Sequence, residues 1–294
     1  MSFDTDVLIS GAGAAGLTLA IDLARRGVSF QLIEQNAQPF NGSRGKGIQP
    51  RTMEIFEDLG FVDRMPAAGG PYPPLCQYRP DGNHKVSLLT EADVFPTAAE
   101  PYAAPLMLPQ FATEAVMRER LAELGHYPHF GTRLTGFEQD AYGVTARMEQ
   151  ETGEQVIRAR FLVGTDGGRS FVRHALAIDF PGEALGVRAI VADVRLEGLD
   201  RSAWHRFQLG SPETQVMICP LAGTDLFQLQ APVAMEGEID LSPAGLTTLI
   251  RARTGRGDII VRSVSWSSAY VMSARLADRY RVGRVFIAGD AAHV

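Results

Sequence analysis

Val7-Leu8-Ile9-Ser10-Gly11-Ala12-Gly13-Ala14-Ala15-Gly16 is the stretch that sets the fold of this chain. An apolar run ends in a glycine turn, and a helical pattern follows it. Leu17, Ala20, Ile21 and Ala24 recur at i, i+3, i+4 and i+7, which makes one apolar face, and Gly27 stops the helix. The next strand, Val28-Ser29-Phe30-Gln31-Leu32-Ile33, ends at Glu34. Strand, helix and strand in this order form a βαβ unit, whose crossover makes the two strands parallel. Each glycine has a mechanical reason: Gly11 permits the tight turn, Gly13 lets the backbone approach a pyrophosphate, and Gly16 lets the helix pack closely on the strand.

Phosphates in such a turn lie at a helix N-terminus, where free N–H groups and the helix dipole favour anions. Glu34 follows about 20 residues on, where a carboxylate binds a ribose hydroxyl. An acid there favours a ligand without a 2′-phosphate, so FAD and NAD fit this loop and NADPH does not. At the other end, Val285-Phe286-Ile287-Ala288 runs into Gly289-Asp290-Ala291-Ala292-His293. It too is an apolar strand ending in glycine, and it adds a carboxylate. A ligand as long as FAD needs contacts from both stretches. The chain stops at Val294, one residue past this motif, and on that ground a longer protein is expected. A further strand end, Gly164-Thr165-Asp166-Gly167-Gly168-Arg169-Ser170, offers a carboxylate, two glycines and a helix start. Taken alone it is equally a type I turn, and a buried strand often ends in Gly-Asp.

Composition narrows the class. The chain has 294 residues, 45% of them hydrophobic, enough for a large core in one domain or two intertwined ones. Its formal net charge of -6 argues against a nucleic-acid binder. Cys76 and Cys219 make neither a disulfide framework nor a metal cluster and are expected as buried or half-buried thiols in a reducing compartment. The N-terminus shows no secretory signal, and no apolar run approaches the ~20 residues of a membrane helix. A cytoplasmic, soluble protein is expected.

Beyond the βαβ unit, a short helix follows Pro50, with Met53, Phe56 and Leu59 on one side and Gly60 as its stop. The Pro- and Gly-rich stretch 66–109 enters a second layer, and a helix returns over 112–124. Short alternating runs at 134–138, 144–148 and 156–159 predict a three-stranded antiparallel meander, after which Phe161–Gly164 resumes an apolar strand. From 178 to 271 the pattern is mostly strand, with candidates at 190–196, 204–209, 215–218 and 227–230 and one helix near 243–252. A mixed sheet is expected there.

The order Gly-x-Gly-x-x-Gly, then Asp166-Gly167, then Gly289-Asp290, resembles the single-component FAD-dependent aromatic hydroxylases, the group A flavoprotein monooxygenases. Ser43-Arg44-Gly45-Lys46-Gly47-Ile48 with Arg51-Thr52-Met53-Glu54, Pro109-Gln110 before a helix, and the run 279–286 into the last motif are similar to the family's segments as well. Among its members the chain is most similar to the polyketide and phenol hydroxylases. The resemblance implies an α/β fold: a Rossmann-like FAD-binding domain (a parallel sheet plus the meander) intertwined with a mixed-sheet substrate domain. The first is expected over 1–70, 105–177 and 272–294, the second over 71–104 and 178–271. It implies FAD as cofactor and NAD(P)H as co-substrate, with a flavin C4a-hydroperoxide hydroxylating an aromatic substrate. Gly11, Gly13, Ala14, Ala15 and Gly16 would hold the pyrophosphate, Glu34 and Gln35 the adenosine ribose, and Arg44 and Gln110 the ribityl–isoalloxazine part. Asp166 would contact FAD and the path of the nicotinamide, and Gly289 and Asp290 the ribityl–pyrophosphate region. No catalytic side chain is assigned beyond a supporting Arg44, and no metal is expected.

The alternatives are a flavin-dependent halogenase of related fold and a non-catalytic FAD-binding fragment. A halogenase carries a Trp-x-Trp-x-Ile-Pro segment, whereas Trp204 and Trp266 are well separated; neither Lys46 nor Lys85 sits in a segment matching its catalytic lysine. His84, His126, His129, His174 and His205 show no ligand spacing and are expected at the surface. Arg169 and Arg173 read as a solvated helix face, with a pyrophosphate contact as the sharper alternative.

Overall fold

The structure is a computed structural model and describes residues 2–89, 95–208 and 210–294. It divides into two compact units. The first is Met1–Phe40, Glu114–Glu183 and Ser273–Val294; the second is Asn41–Thr113 and Ala184–Met272. Residues 41–70 and 105–113, grouped with the nucleotide-binding part in the sequence, thus fall in the second unit.

In the first unit, β1 (Thr5–Ser10), α1 (Ala14–Arg25) and β2 (Phe30–Glu34) form the expected βαβ unit. β1 pairs in parallel with β2 on one side and with the strand Gly153–Gly164 on the other. Flanked on both edges, β1 buries Leu8 and Ile9 completely, which explains its unbroken apolar run. The terminal strand Val285–Ile287 then pairs in parallel with Gly153–Gly164, through Leu162↔Val285, Val163↔Phe286 and Gly164↔Ile287.

The meander is present as Arg133–Gln139, Val144–Gln150 and Gly153–Gly164. Its first hairpin turns on Asp140, whose carboxylate accepts the N–H groups of Tyr142 at 2.7 Å and Gly143 at 3.0 Å. The structure corrects one boundary. Residues 156–159 and 161–164 are a single 12-residue strand, not two. Its N-terminal half runs antiparallel to Val144–Gln150 and its C-terminal half parallel to β1, so a change of partner rather than a break produced the change in pattern.

The second unit is built on a seven-stranded sheet. Its order is Ile260–Arg275, Gly182–Glu197, Phe227–Val233, Val216–Pro220, Trp204–Phe207, Leu75–Tyr78 and His84–Ser87. The strand expected over 204–209 ends at Phe207, and Leu209 lies outside the described residues. Leu75–Tyr78 and His84–Ser87 form a hairpin that Pro and Gly neighbours hid in the sequence. The helix Pro243–Thr254 buries Leu246 and Ile250 in the same core as Ile190, Val194, Ile218 and Leu229. Its ends follow capping rules: Ser242 accepts the N–H of Gly245 at 3.2 Å, proline stands at the first position, and Gly255 closes it at φ 69°.

Candidate functional site

The parallel strands of the first unit end together, and each carries one of the three motifs. β1 leads into Gly11, Gly153–Gly164 into Thr165-Asp166, and Val285–Ile287 into Gly289-Asp290. In open α/β sheets the carboxyl ends of parallel strands are where ligands bind. The motifs are in contact through their glycines. Gly11, at φ 111°, lies so close to the neighbouring strand that a Cβ there would be 2.3 Å from the Thr165 carbonyl oxygen. A Cβ on Gly16 would be 1.9 Å from the Gly11 carbonyl oxygen, which confirms the close helix–strand packing expected of it. The Thr165 hydroxyl donates to the carbonyls of Ser10 at 3.1 Å and Gly11 at 2.8 Å.

Around Gly13 the backbone has open space. The nearest atom a Cβ would meet is a Glu114 carboxylate oxygen at 3.8 Å. α1 begins there with no side-chain cap and no acid in its first turn, so its leading N–H groups are left for a ligand. The Glu34 carboxylate reaches this turn from the end of β2. One oxygen accepts the Ala12 N–H at 3.0 Å and the other the Asn36 N–H at 3.0 Å. Gln35 is exposed and lines an open groove of about 480 Å³ with Asn36, Gly131, Arg133 and Glu149 to Glu151.

Asp166 has one carboxylate oxygen on the Val172 N–H at 3.1 Å, capping the short helix Phe171–Ala175. Its other oxygen is buried with no hydrogen-bond partner. An orphaned buried carboxylate oxygen is costly and suits a ligand hydroxyl. An uncapped helix N-terminus, an open glycine turn, a ribose-distance acid and this oxygen together fit a dinucleotide. Asp290 is exposed on a short 3₁₀ turn, Gly289–Ala291.

Arg173 is not the solvated residue the sequence suggested. It is buried, donating to the carbonyls of Ala291 at 2.9 Å and Gly168 at 2.8 Å, and its guanidinium lies 3.9 Å from the Phe180 ring centre. It ties the second motif to the third as a brace. Its helix is a single short turn folded back on the sheet, so the helical pattern gave no face to read. His205 is likewise buried rather than at the surface. Its Nδ1 is 3.0 Å from the Tyr78 hydroxyl and its Nε2 3.0 Å from the Asp200 carbonyl.

Arg44 and Gln110 belong to the second unit, where the structure brings their segments together. The Gln110 N–H, at the start of the helix Gln110–Glu123, donates to the Gly45 carbonyl at 2.9 Å. Sequence reasoning missed the acid beside the glycine turn. Glu114 is buried, with Arg118 one helical turn on at 4.0 Å, and the i, i+4 Glu–Arg spacing was its signal. It also missed the buried polar set Ser43, Lys46, Asp193 and Gln228 in the second unit. Cys76 and Cys219 are both buried, and burial pushes the Cys219 thiol up to about 12. Among the described residues no helix is long and apolar enough to cross a membrane.

Comparison with known proteins agrees with this geometry. A family model described as "FAD binding domain" matches residues 4–294. A flavin-dependent monooxygenase of Mycobacteroides abscessus is 37% identical over 296 residues, covering 98% of this chain and 62% of that protein. A rifampicin monooxygenase of Streptomyces venezuelae is 32% identical over 293 residues, covering 98% of this chain and 59% of its own length. The chain therefore spans less than two thirds of these relatives. Among solved structures, an aklavinone-11 hydroxylase in ternary complex with FAD and aklavinone superimposes with a TM-score of 0.85 at 30% identity, over 100% of this chain and 58% of that one. The chain is a member of the FAD binding domain family, alongside flavin-dependent monooxygenases.

Proposed function

We propose that this protein is a cytoplasmic FAD-dependent monooxygenase that hydroxylates a phenolic or polycyclic aromatic compound, with NAD(P)H as reductant and O₂ as oxygen donor. The observation that carries this reading is the register of the three parallel strands, which end side by side on Gly11, Thr165-Asp166 and Gly289-Asp290. The names of its relatives support it.

In this proposal the turn of Gly11, Gly13, Ala14, Ala15 and Gly16 holds the pyrophosphate, the Gly11 N–H itself being donated to the Ile33 carbonyl at 2.8 Å. Glu34 accepts from the adenosine ribose, with Gln35 beside it. Asp166 offers its unpartnered oxygen to a ligand hydroxyl, and Gly289 and Asp290 take the ribityl–pyrophosphate stretch. Arg44 and Gln110 attend the ribityl–isoalloxazine part. When bound, FAD supplies the redox chemistry and the transfer of oxygen; the residues of the chain bind, orient and exclude water.

The test is to add FAD, record the visible spectrum, and follow NADH and NADPH oxidation with and without candidate phenols. Oxidation stimulated by a phenol, with a product heavier by one oxygen, supports the enzyme. Bound flavin with no stimulation favours a non-catalytic FAD-binding protein. A protein that takes up no flavin overturns the proposal.

A further inference from the structure

The segment Ser43-Arg44-Gly45-Lys46 is pinned at both ends. Ser43 and Lys46 are buried, while Arg44 and Gly45 between them are exposed. Beneath it, Asp193 and Gln228 face each other across neighbouring strands, and Gln228 faces Cys219 on the next one. Directly paired residues share a face of the sheet, so the three side chains form a row. Asp193, fully buried, accepts both the Ser43 N–H, at 2.7 Å, and the Ser43 hydroxyl. The Gln228 amide donates to the Ser43 carbonyl and, at 2.7 Å, to the Ser43 hydroxyl oxygen; its own oxygen accepts Lys46 Nζ at 2.7 Å. Lys46 Nζ also lies 4.5 Å from the centre of the Trp204 ring. From the other side the main chain closes the clamp: the Leu108 and Gln110 N–H groups donate to the carbonyls of Lys46 and Gly45 at 3.1 and 2.9 Å.

A carboxylate in the middle of Ile190-Val191-Ala192-Asp193-Val194 is a costly way to hold a sheet together. Apolar residues of similar size would serve stability as well or better. The best-attested use of such a network is to fix one geometry. Here both hydrogen bonds that the Asp193 carboxylate accepts come from Ser43, and both that the Gln228 amide group donates end on Ser43, the residue next to Arg44. Burial pushes the Asp193 carboxyl above the ordinary carboxylate value and the Lys46 ammonium below its own, and each offsets the other's charge.

We propose that Asp193 and Gln228 are positioning residues: they hold Ser43 and Lys46 so that Arg44 is presented in one geometry. What Arg44 meets rests on the flavin reading above; the clamp itself does not.

The loop carries its own reporter, because cleavage by trypsin after Arg44 is expected to speed up when the segment leaves its pins. In the flavin-free intact chain, Asp193→Ala and Ser43→Ala are expected to speed cleavage after Arg44 roughly tenfold or more, the equivalent of one buried partner lost, with far-UV circular dichroism unchanged. Asp193→Asn, which keeps an acceptor for the Ser43 N–H, restores part of the protection. In FAD titrations, Asp193→Ala is expected to weaken binding and to blur the vibrational structure of the bound-flavin band, whereas Glu34→Ala weakens binding and leaves the band shape as in wild type. Folded variants cut at the wild-type rate overturn the clamp; if Asp193→Ala does not fold, Ser43→Ala alone decides. Faster cleavage with an unaltered flavin band overturns the presentation of Arg44. A wild-type chain that binds no FAD, with faster cleavage in the variants, leaves the clamp standing and removes the flavin reading.

Discussion

A Cβ on Gly289 would sit 2.8 Å from the Cβ of Ala15. The glycine turn near the start of the chain and the last motif are therefore in van der Waals contact, with only a hydrogen on one side. Gly289 also holds φ at 62°, where side chains are strained. Gly289→Val is expected to lower stability by about 1–3 kcal/mol and to abolish FAD binding. Gly289→Ala combined with Ala15→Gly removes the clash and keeps the backbone strain, so it should recover part of the loss. Thermal melts and flavin fluorescence of the three proteins check this. Equal behaviour of Gly289→Ala with and without Ala15→Gly would show that the contact is not what matters.

Glu34 ties the end of β2 to the turn through the Ala12 N–H. Glu34→Ala is expected to weaken FAD roughly tenfold or more, as loss of a charged acceptor does. Glu34→Gln, which keeps an acceptor, should lose less. Dissociation constants from flavin fluorescence quenching decide it; an unchanged constant in Glu34→Ala would remove this residue from the site.

Asp140 should set part of the acid sensitivity. The N–H of Tyr142, then the Arg158 guanidinium and the Gly143 N–H, hold its carboxyl at about 2 against an ordinary 3.8. A depressed carboxylate stabilises the fold in its ionised form. Its contribution is complete above the ordinary value and is lost as pH falls through about 2. Asp140→Asn is expected to flatten the acid limb of Tm against pH in that window. An acid limb identical to wild type would show that the turn carries no such linkage.

The two cysteines are expected to be silent in the native protein. Both are buried, and Cys219 is held at about 12. A thiol reagent at neutral pH should label neither in minutes and both after denaturation. Rapid native labelling of Cys219 would contradict its burial.

What the sequence disclosed was local. The β1 turn, α1 and Glu34 announce themselves through period and glycine placement within one short stretch, and the structure has strand, helix and strand in that order, with β1 starting at Thr5 rather than Val7 and β2 at Phe30 rather than Val28. The contact of Gly289 with Ala15 was inferable only because both ends needed the same long ligand. The clamp on Ser43 was illegible because its partners, Asp193 and Gln228, are far away in the chain. Still, an acid among Ile190, Val191, Ala192 and Val194, and a glutamine between Phe227 and Leu229, were polar residues in apolar strands that asked for partners. Arg173 misled for a related reason: a basic residue near a helix start looks solvated until the carbonyls of Gly168 and Ala291 converge on it.

The placement of β1 has a consequence for synthesis. One of its neighbours, β2, follows closely, but the other is Gly153–Gly164, and the strand beyond that is Val285–Ile287. As the chain leaves the ribosome, an apolar strand therefore waits with one edge bare while well over a hundred residues are added. Such an edge can recruit strands from other molecules. β1 is made long before the strand that covers its second edge, so yield in a heterologous host should respond to translation speed and chaperone supply more than to the stability of the finished fold.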